Sequence, residues 1–186
     1  MDNIVKPEQI NIDNFVLHQI PLTNEYAQII YDIFNEDIDG LKFWMNGKTF
    51  TSVENVLHSY KNNRQEDETW AFAMYGIFSG GELLGEIGLS GINKKNQTGE
   101  IGFWLKKSAR GQKIIYKLLP EIEKLGFQNL NLRKISLWCD ENNIATKTCA
   151  EHSGYIREGT LREEKLWPDS SVHSTAIFSK LKSEWH

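Results

Sequence analysis

The apolar residues in the first third of the chain recur mainly at helical spacing. Residues 23–34 begin with Thr-Asn-Glu, which is typical of a helix start, and apolar side chains follow at near-helical intervals. A second helix is predicted over residues 53–62, and the polar run 62–68 is predicted to be a loop. Residues 15–20, which end before Pro21, have the composition of a strand.

The middle of the chain changes to a strand-like pattern. Three apolar runs, residues 70–77, 83–92 and 100–105, are separated by polar turns at Ser79-Gly80-Gly81 and at residues 93–97. The order of runs and turns predicts an antiparallel meander.

The last part of the chain alternates between the two patterns. It predicts a helix over about 111–129, a strand over 134–139, a helix over about 143–152 and strands over 155–161 and 172–181. The sequence therefore predicts a mixed α/β fold with a central, mostly antiparallel twisted sheet of about seven strands and four helices. We expect one domain over residues 1–186, with residues 1–11 as a flexible N-terminal arm.

Composition and charge narrow the function. The 21 basic and 25 acidic residues are well mixed and give a net charge of −4, which argues against a nucleic-acid partner. Cys139 and Cys149 have no paired motif around them, so that neither a disulfide framework nor a metal site is expected. The first residues lack a signal-peptide core and no apolar run is long enough for a membrane, so we expect a soluble, cytoplasmic protein.

A strand, a basic loop and a helix start follow one another over residues 100–115. Free backbone amides and the macrodipole at a helix start suit an anion such as pyrophosphate. Lys106, Lys107, Arg110 and Lys113 add positive charge to the loop. A loop whose lysines only face water has the same pattern, so the pattern alone leaves both interpretations open.

The same stretch carries a more specific sequence, Gly102-Phe103-Trp104-Leu105 followed by Arg110-Gly111. It resembles the GCN5-related N-acetyltransferase (GNAT) superfamily, and most closely its Rim-type enzymes, which acetylate the N-termini of ribosomal proteins. In that family a strand reading Gly-Tyr/Phe-Trp-Leu precedes a Gln/Arg-x-x-Gly-x-Gly/Ala loop, whose amides hold the pyrophosphate of coenzyme A. Lys113 and Ile115 depart from this loop, because the family has a glycine at the first position and a small residue at the second.

A second stretch, residues 143–159, is similar to the Rim-type signature Asn-x-x-Ser, then Gly-Phe, then Glu-Gly. The residues in register with it are Asn143, Thr146, Gly154, Tyr155, Glu158 and Gly159. Together the two stretches imply a GNAT fold and an acyltransferase with acetyl-CoA as co-substrate and no metal. The residues that the resemblance assigns to coenzyme A are Phe103, Trp104, Leu105, Arg110, Gly111, Gln112, Lys113, Ile114, Ile115 and Asn143.

Three residues are candidates for the chemistry. Glu100 lies in an apolar strand, where partial burial should raise its pKa toward that of a general base, although a glutamate at a strand end can also simply face solvent. Cys139 stands where Rim-type enzymes can hold a cysteine beside the thioester, or it is a core residue. Thr146 matches the family serine that protonates the leaving thiolate, or it belongs to a helix cap.

Two further positions bear on the acceptor. Glu163 and Glu164 lie near the place of a base proposed for Rim-type enzymes, but by strict count that place is Lys165. His173 stands where the Rim-type pattern often has an aspartate, so that the resemblance does not identify the acceptor.

Three functions remain open from the sequence. The first is direct transfer of acetyl from acetyl-CoA to a primary amine in a ternary complex, with a protein N-terminus as acceptor. The second is acetylation of a small amine, such as a polyamine or an aminoglycoside-like compound. The third is a degenerate GNAT domain, blocked by Lys113, that acts as a binding module. A monomer and a homodimer are both compatible with the sequence.

Overall fold

One mixed sheet organises the part of the chain that is described. The computed structural model describes residues 7–68 and 72–186, except for the side chains of residues 63–68 and 72. The strands are β1 Gln9–Ile12, β2 Phe15–His18, β3 Phe72–Ser79, β4 Glu82–Asn93, β5 Thr98–Leu105, β6 Lys134–Asp140, β7 Ile156–Leu166 and β8 Val172–Leu181. Within the described ranges these eight strands lie in the order β1-β2-β3-β4-β5-β6-β8-β7.

The helices connect the two halves of the sheet and cover it. They are α1 Asn24–Glu36, α2 Ile38–Leu41, α3 Val53–Glu68, α4 Ile114–Lys124 and α5 Ile144–His152, and a π-helical turn Leu125–Asn129 continues α4. Thr23 caps α1 by accepting a hydrogen bond from the backbone N–H of Tyr26. Among the described residues, no helix combines the length and the apolar character needed to cross a membrane.

The mixed α/β architecture and the mostly antiparallel sheet are confirmed. An eighth strand, β1, pairs with β2 from Gln9 onward, inside the segment that was predicted to be a flexible arm. The predicted loop over 62–68 is wrong, because α3 runs on to Glu68. That run has neither glycine nor proline and contains good helix formers, so nothing in it ends the helix. Residues 70 and 71 of the strand predicted over residues 70–77 lie outside the described residues.

The start of α4 also differs from the prediction. The helix begins at Ile114 rather than near Gly111. Gly111 and Lys113 have positive φ angles of 75° and 58°, which are incompatible with a right-handed helix. The sequence pattern shows the apolar helix face but not the left-handed turn in front of it.

The core consists of two clusters, one on each face of the sheet. On the face covered by α4 and α5, here called the α4 face, buried residues such as Leu118 and Ile122 pack against Ile101 and Leu137. On the opposite face, here called the α1 face, residues of α1–α3 such as Phe34 and Val56 pack with Trp104. Because side chains alternate along a strand, neighbouring residues of β5 and β6 point to opposite faces.

The only parallel pair in the described sheet joins β5 to β6, and it is short. Its register is Thr98 with Lys134, Gly99 with Ile135 and Glu100 with Ser136. Beyond Glu100, β5 stays paired with β4 as far as Leu105, while β6 stays paired with β8 as far as Asp140. The two strands therefore diverge, and a split opens through the middle of the sheet.

A buried carboxylate lies in the α1-face cluster. Glu86 is 8% exposed and accepts hydrogen bonds from the Tyr60 hydroxyl at 2.7 Å and from Trp104 Nε1 at 2.6 Å. Burial raises the pKa of Glu86 to about 7, although these two hydrogen bonds act in the opposite direction. Glu86 was not identified from the sequence, because a glutamate in a strand usually faces solvent.

Glu86 should make stability depend on pH. Its pKa is raised in the folded protein, so its contribution is fully present below about pH 4.5 and is lost as the pH rises through about 7. The loss is on the order of 3 kcal/mol, from a shift of two to three pKa units. In Glu86→Gln, urea unfolding between pH 4.5 and 8 should lack this decline. Glu151→Gln, at an exposed position, is the control for removal of one acidic group. Parallel pH profiles of Glu86→Gln and the wild type would contradict the assignment.

Candidate active site

The split in the sheet opens into a cleft with a volume of about 500 Å³. Its two long walls are residues 101–105 of β5 and residues 137–139 of β6. The first turns of α4 and α5 line it on the α4 face, and Phe43 and Trp44 line it on the α1 face. The cleft therefore passes from one face of the sheet to the other.

The turn before α4 fits an anion. Gly111 has open space where a Cβ would lie. Lys113 is the N-cap residue of α4, and its side chain does not form a capping hydrogen bond with the helix. The first amides of an α-helix have no partner inside the helix, so those at the start of α4 can bind phosphate oxygens. Ile114 and Ile115 point into the core and fix the turn.

Lys113 does not plug the turn. Its side chain is exposed and the cleft opens beside it. The anticipated block by this residue is therefore absent, and its ammonium group can add charge near a bound phosphate. The structure thus fits a diphosphate at this turn.

Arg110 is held in place by Leu105 at the end of β5 and by Asp37 between α1 and α2. Its Nε donates to the carbonyl of Leu105 at 3.0 Å, and Nη1 lies 2.5 Å from Oδ2 of Asp37. A Cβ at Gly40 would overlap both the guanidinium group and this carboxylate. The ion pair therefore ties the phosphate turn to α2, and neither Asp37 nor Gly40 was identified from the sequence.

Most of the residues predicted to bind coenzyme A lie on the cleft. Those on its lining are Phe103, Trp104, Leu105, Arg110, Gly111, Lys113, Ile114, Ile115 and Asn143. Gln112 lies outside the lining, where its exposed side chain donates to the carbonyl of Ser108. Asn143 also caps α5, because its Oδ1 accepts from the backbone N–H of Thr146 at 3.1 Å.

The structure brings only two of the three predicted catalytic residues to the cleft. Cys139 and Thr146 are both on the lining. Burial raises the pKa of the Cys139 thiol to about 11, so the thiol is neutral near pH 7 and a poor nucleophile. Glu100 lies just below the lining, at the last β5–β6 pair, and faces the α1 side with Gly102 and Trp104.

Glu100 is surrounded by groups that tune its charge. It is half-buried, and burial is the main cause that raises its pKa. Lys165 acts in the opposite direction and Glu164 in the same direction. Glu164 is one of the two glutamates that precede Lys165. It accepts a hydrogen bond from the Thr175 hydroxyl at 2.7 Å.

Aromatic side chains cover the cleft on the α1 face. Trp44 lies over Gly102, where a Cβ would come within 3.1 Å of the indole ring. Trp138, 40% exposed, stands on the facing strand. The position of Trp44 opposite Gly102 depends on tertiary packing and was not predicted from the sequence.

Comparisons with known proteins identify the family. The profile of the acetyltransferase (GNAT) domain matches residues 18–156, which is most of the chain. The chain therefore belongs to the GNAT family and is an acyltransferase that uses acetyl-CoA.

Relatives of known sequence agree with this family. The chain is 26% identical over 159 residues to the ribosomal-protein-serine acetyltransferase of Escherichia coli (strain K12), covering 85% of this chain and 88% of that one. It is 28% identical over 110 residues to YdaF of Bacillus subtilis (strain 168), a match that spans only 60% of that protein.

Solved structures share the fold. The chain is similar to RimL, a ribosomal L7/L12 α-N-protein acetyltransferase solved with coenzyme A in a disulfide to one of its cysteines. The TM-score is 0.82, with 19% identity over 94% of this chain and 98% of that one. The microcin C7 self-immunity acetyltransferase MccE, solved with acetyl-CoA and AMP, gives a TM-score of 0.80 at 18% identity over 97% and 99% of the two chains.

The ion pair between Arg110 and Asp37 should affect the affinity for acetyl-CoA. At a ligand concentration one hundred times Kd, a preformed site is stabilised by about 2.7 kcal/mol, and the wild type should show the corresponding rise in Tm. Gly40→Ala should shift the phosphate turn and need about tenfold more acetyl-CoA for the same rise, the factor for losing one hydrogen bond to a charged group. Gly159→Ala is the matched control, because its new Cβ meets open space. Equal affinities of Gly40→Ala and Gly159→Ala would contradict the role of the ion pair.

Proposed function

We propose that the protein transfers the acetyl group of acetyl-CoA to a primary amine, and that this amine is the N-terminus of a protein. The observation that carries the proposal is the cleft through the sheet, which is lined by the turn before α4 and lies next to Glu100 at the last β5–β6 pair. Similarity to a ribosomal-protein-serine acetyltransferase supports a protein acceptor. For such an acceptor, we propose that the reaction takes place in the cytoplasm.

The walls of the cleft suit coenzyme A. The amides at residues 111–115 would hold the pyrophosphate, and Lys113 would add charge. Beyond Glu100, the backbone groups of residues 101–105 that face β6 have no strand partner in the described sheet. Such an open strand edge can form hydrogen bonds with the amide groups of the pantetheine arm.

The chemistry is direct transfer from the bound thioester to the amine. Acetyl-CoA supplies the acetyl carbon and a thiolate leaving group, so a C–N bond forms while the C–S bond breaks. Glu100 takes the proton from the amine and then releases it to solvent. The Thr146 hydroxyl passes a proton from solvent to the departing sulfur and is itself left neutral, so coenzyme A leaves as the thiol. The neutral Cys139 thiol is not expected to form an acetyl-enzyme intermediate.

The mouth on the α1 face suits an α-amine. Glu100 lies at the end of the β5–β6 pairing with Glu164 near it, while Trp44 and Trp138 in the cleft lining offer apolar surface for the first side chain of a peptide. An α-amine also needs a weaker base than a lysine side chain, because its pKa is about 7.7–8.0 rather than 10.4.

Acceptor choice can be measured directly. At pH 7.5, kcat/KM for a peptide with a free N-terminus should exceed that for the N-blocked peptide with one lysine by about two orders of magnitude, because far more of the α-amine is neutral. Spermidine in the same assay represents small amines. A higher kcat/KM for spermidine than for the free peptide would replace the protein acceptor by a polyamine.

The role of Glu100 can be read from a pH profile. Glu100→Gln should lower kcat by about a hundredfold or more, the usual contribution of general-base catalysis. In the wild type, kcat falls as the pH drops through the raised pKa of Glu100, and the variant should lose this limb. Binding of acetyl-CoA serves as the control for folding.

Glu164→Gln is the matched variant. Removing the nearby negative charge should lower the pKa of Glu100 and move the acid limb to lower pH, while kcat at high pH is kept. If Glu164→Gln abolishes turnover and Glu100→Gln keeps it, Glu164 is the base instead.

A further inference from the structure

His173 is part of a chain of hydrogen-bonded side chains. None of these side chains has a role in the proposed reaction. Nδ1 of His173 lies 2.5 Å from Oδ2 of Asp140, and Nε2 lies 2.8 Å from the Ser171 hydroxyl. The Ser171 hydroxyl is in turn 2.5 Å from Oδ1 of Asp169. The side chains of His173 and Asp140 are only 14% and 6% exposed. All three links are short and the first is largely shielded from water.

The donors and acceptors along this chain show which protons the imidazole of His173 needs for all the hydrogen bonds to form. Ionised carboxylates only accept, so the single proton of the Ser171 hydroxyl is donated to Asp169. Asp169 is ionised, since the hydrogen bonds from Ser171 lower its pKa. The Ser171 oxygen must then accept from Nε2–H, while Nδ1–H is donated to Asp140. All three links can therefore be hydrogen bonds at the same time only when both ring nitrogens carry protons.

An aromatic ring stacks on His173. Trp167 lies parallel to His173, with ring centroids 3.6 Å apart and an interplanar angle of 10°. A cation over an indole face is attracted by the ring quadrupole. Trp167 also meets Phe43 edge-on at 5.8 Å and closely covers Gly47, where a Cβ would overlap the indole ring. Through Trp167, the position of His173 therefore affects the position of the loop Phe43–Gly47, which contains Trp44.

The same cluster reaches the coenzyme side of the cleft. The second carboxylate oxygen of Asp140 accepts from the backbone N–H of Asn142 at 2.8 Å, in the turn that precedes α5. Lys165 is the cross-strand neighbour of His173 on β7, and its ammonium group is bonded to Asn46 at 2.9 Å. The charged groups around the ring are therefore Asp140 on β6, Lys165 on β7 and Asp169 in the β7–β8 turn.

We propose that His173 is a positioning residue that holds the acceptor wall of the cleft through Trp167 only while both of its ring nitrogens are protonated. Loss of one proton leaves the lone pair of Nε2 facing the Ser171 oxygen, so either that bond or the Ser171–Asp169 bond must break. The stack on Trp167 loses its cation at the same time. Loosening of the Phe43–Gly47 loop then weakens acceptor binding but leaves the phosphate turn intact.

The protonation state can be tested without any activity. In protein labelled with ¹⁵N-histidine, the NMR spectrum at pH 7 should contain one histidine with a proton on each ring nitrogen, and this signal should vanish in His173→Gln. In Ser171→Ala the same ring should lose its second proton at a lower pH than in the wild type. A singly protonated His173 ring at pH 7 would overturn the proposal.

The effect on the acceptor rests on the proposed function and is tested by kinetics. His173→Gln should raise the acceptor KM about fivefold, the factor for a cation–π contact of roughly 1 kcal/mol, with kcat and acetyl-CoA affinity within twofold of the wild type. His173→Arg keeps a planar cation that stacks on indole, so it should restore a low, pH-independent acceptor KM. His58→Gln, at an exposed histidine of α3, is the control.

Three results separate the possible failures. Equal acceptor KM values for His173→Gln and His173→Arg would show that the charge has no role. A parallel loss of kcat and acetyl-CoA affinity in His173→Gln would show a merely structural residue. If the wild type acetylates no amine, the proposed function fails, and the NMR measurement still decides the state of His173.

Discussion

The site depends on one interruption of backbone pairing. β5 and β6 share only three register pairs, and each then follows its outer neighbour, β4 or β8. Because those outer ladders continue to Leu105 and Asp140, both walls of the split remain rigid although they do not pair with each other. A rigid split through a sheet gives one ligand access to both faces, and it leaves strand edges whose hydrogen bonds a ligand can satisfy.

Positive and negative groups lie at different places along this split. Positive groups and helix amides gather at the turn before α4, whereas Glu100 and Glu164 lie toward the α1 face. The neutral thiol of Cys139 lies between them. Arg110 belongs to both regions, because its ion pair with Asp37 joins the phosphate turn to the helices that support the acceptor loop. The loop Phe43–Gly47 also has a second support, Trp167 in the β7–β8 turn, which does not contact the phosphate turn through this ion pair.

Local sequence predicted the features that local chemistry determines. The meander around Gly80 and Gly81, the cap at Thr23 and most of the cleft residues follow from turn, cap and motif patterns. Features that depend on distant residues were missed or left unassigned. The buried Glu86 needs Tyr60 from α3, and the Arg110 anchor needs Asp37 from the end of α1. The helix over 62–68 was missed because a polar composition was interpreted as a loop, although the run has no residue that stops a helix.

The left-handed turn at Lys113 explains how the departure from the family glycine is tolerated. A non-glycine residue at φ 58° costs about 1 kcal/mol, which the buried Ile114 and Ile115 can offset by anchoring the helix start. With the backbone fixed in this way, the Lys113 side chain points to solvent and leaves the amides free. Anion binding at the turn is a property of the backbone conformation, so a family motif can lose its glycine and keep its site whenever the same φ angle is enforced by packing. His173, which stands where the Rim-type pattern often has an aspartate, is likewise held in a fixed geometry by its contacts with Asp140, Ser171 and Trp167.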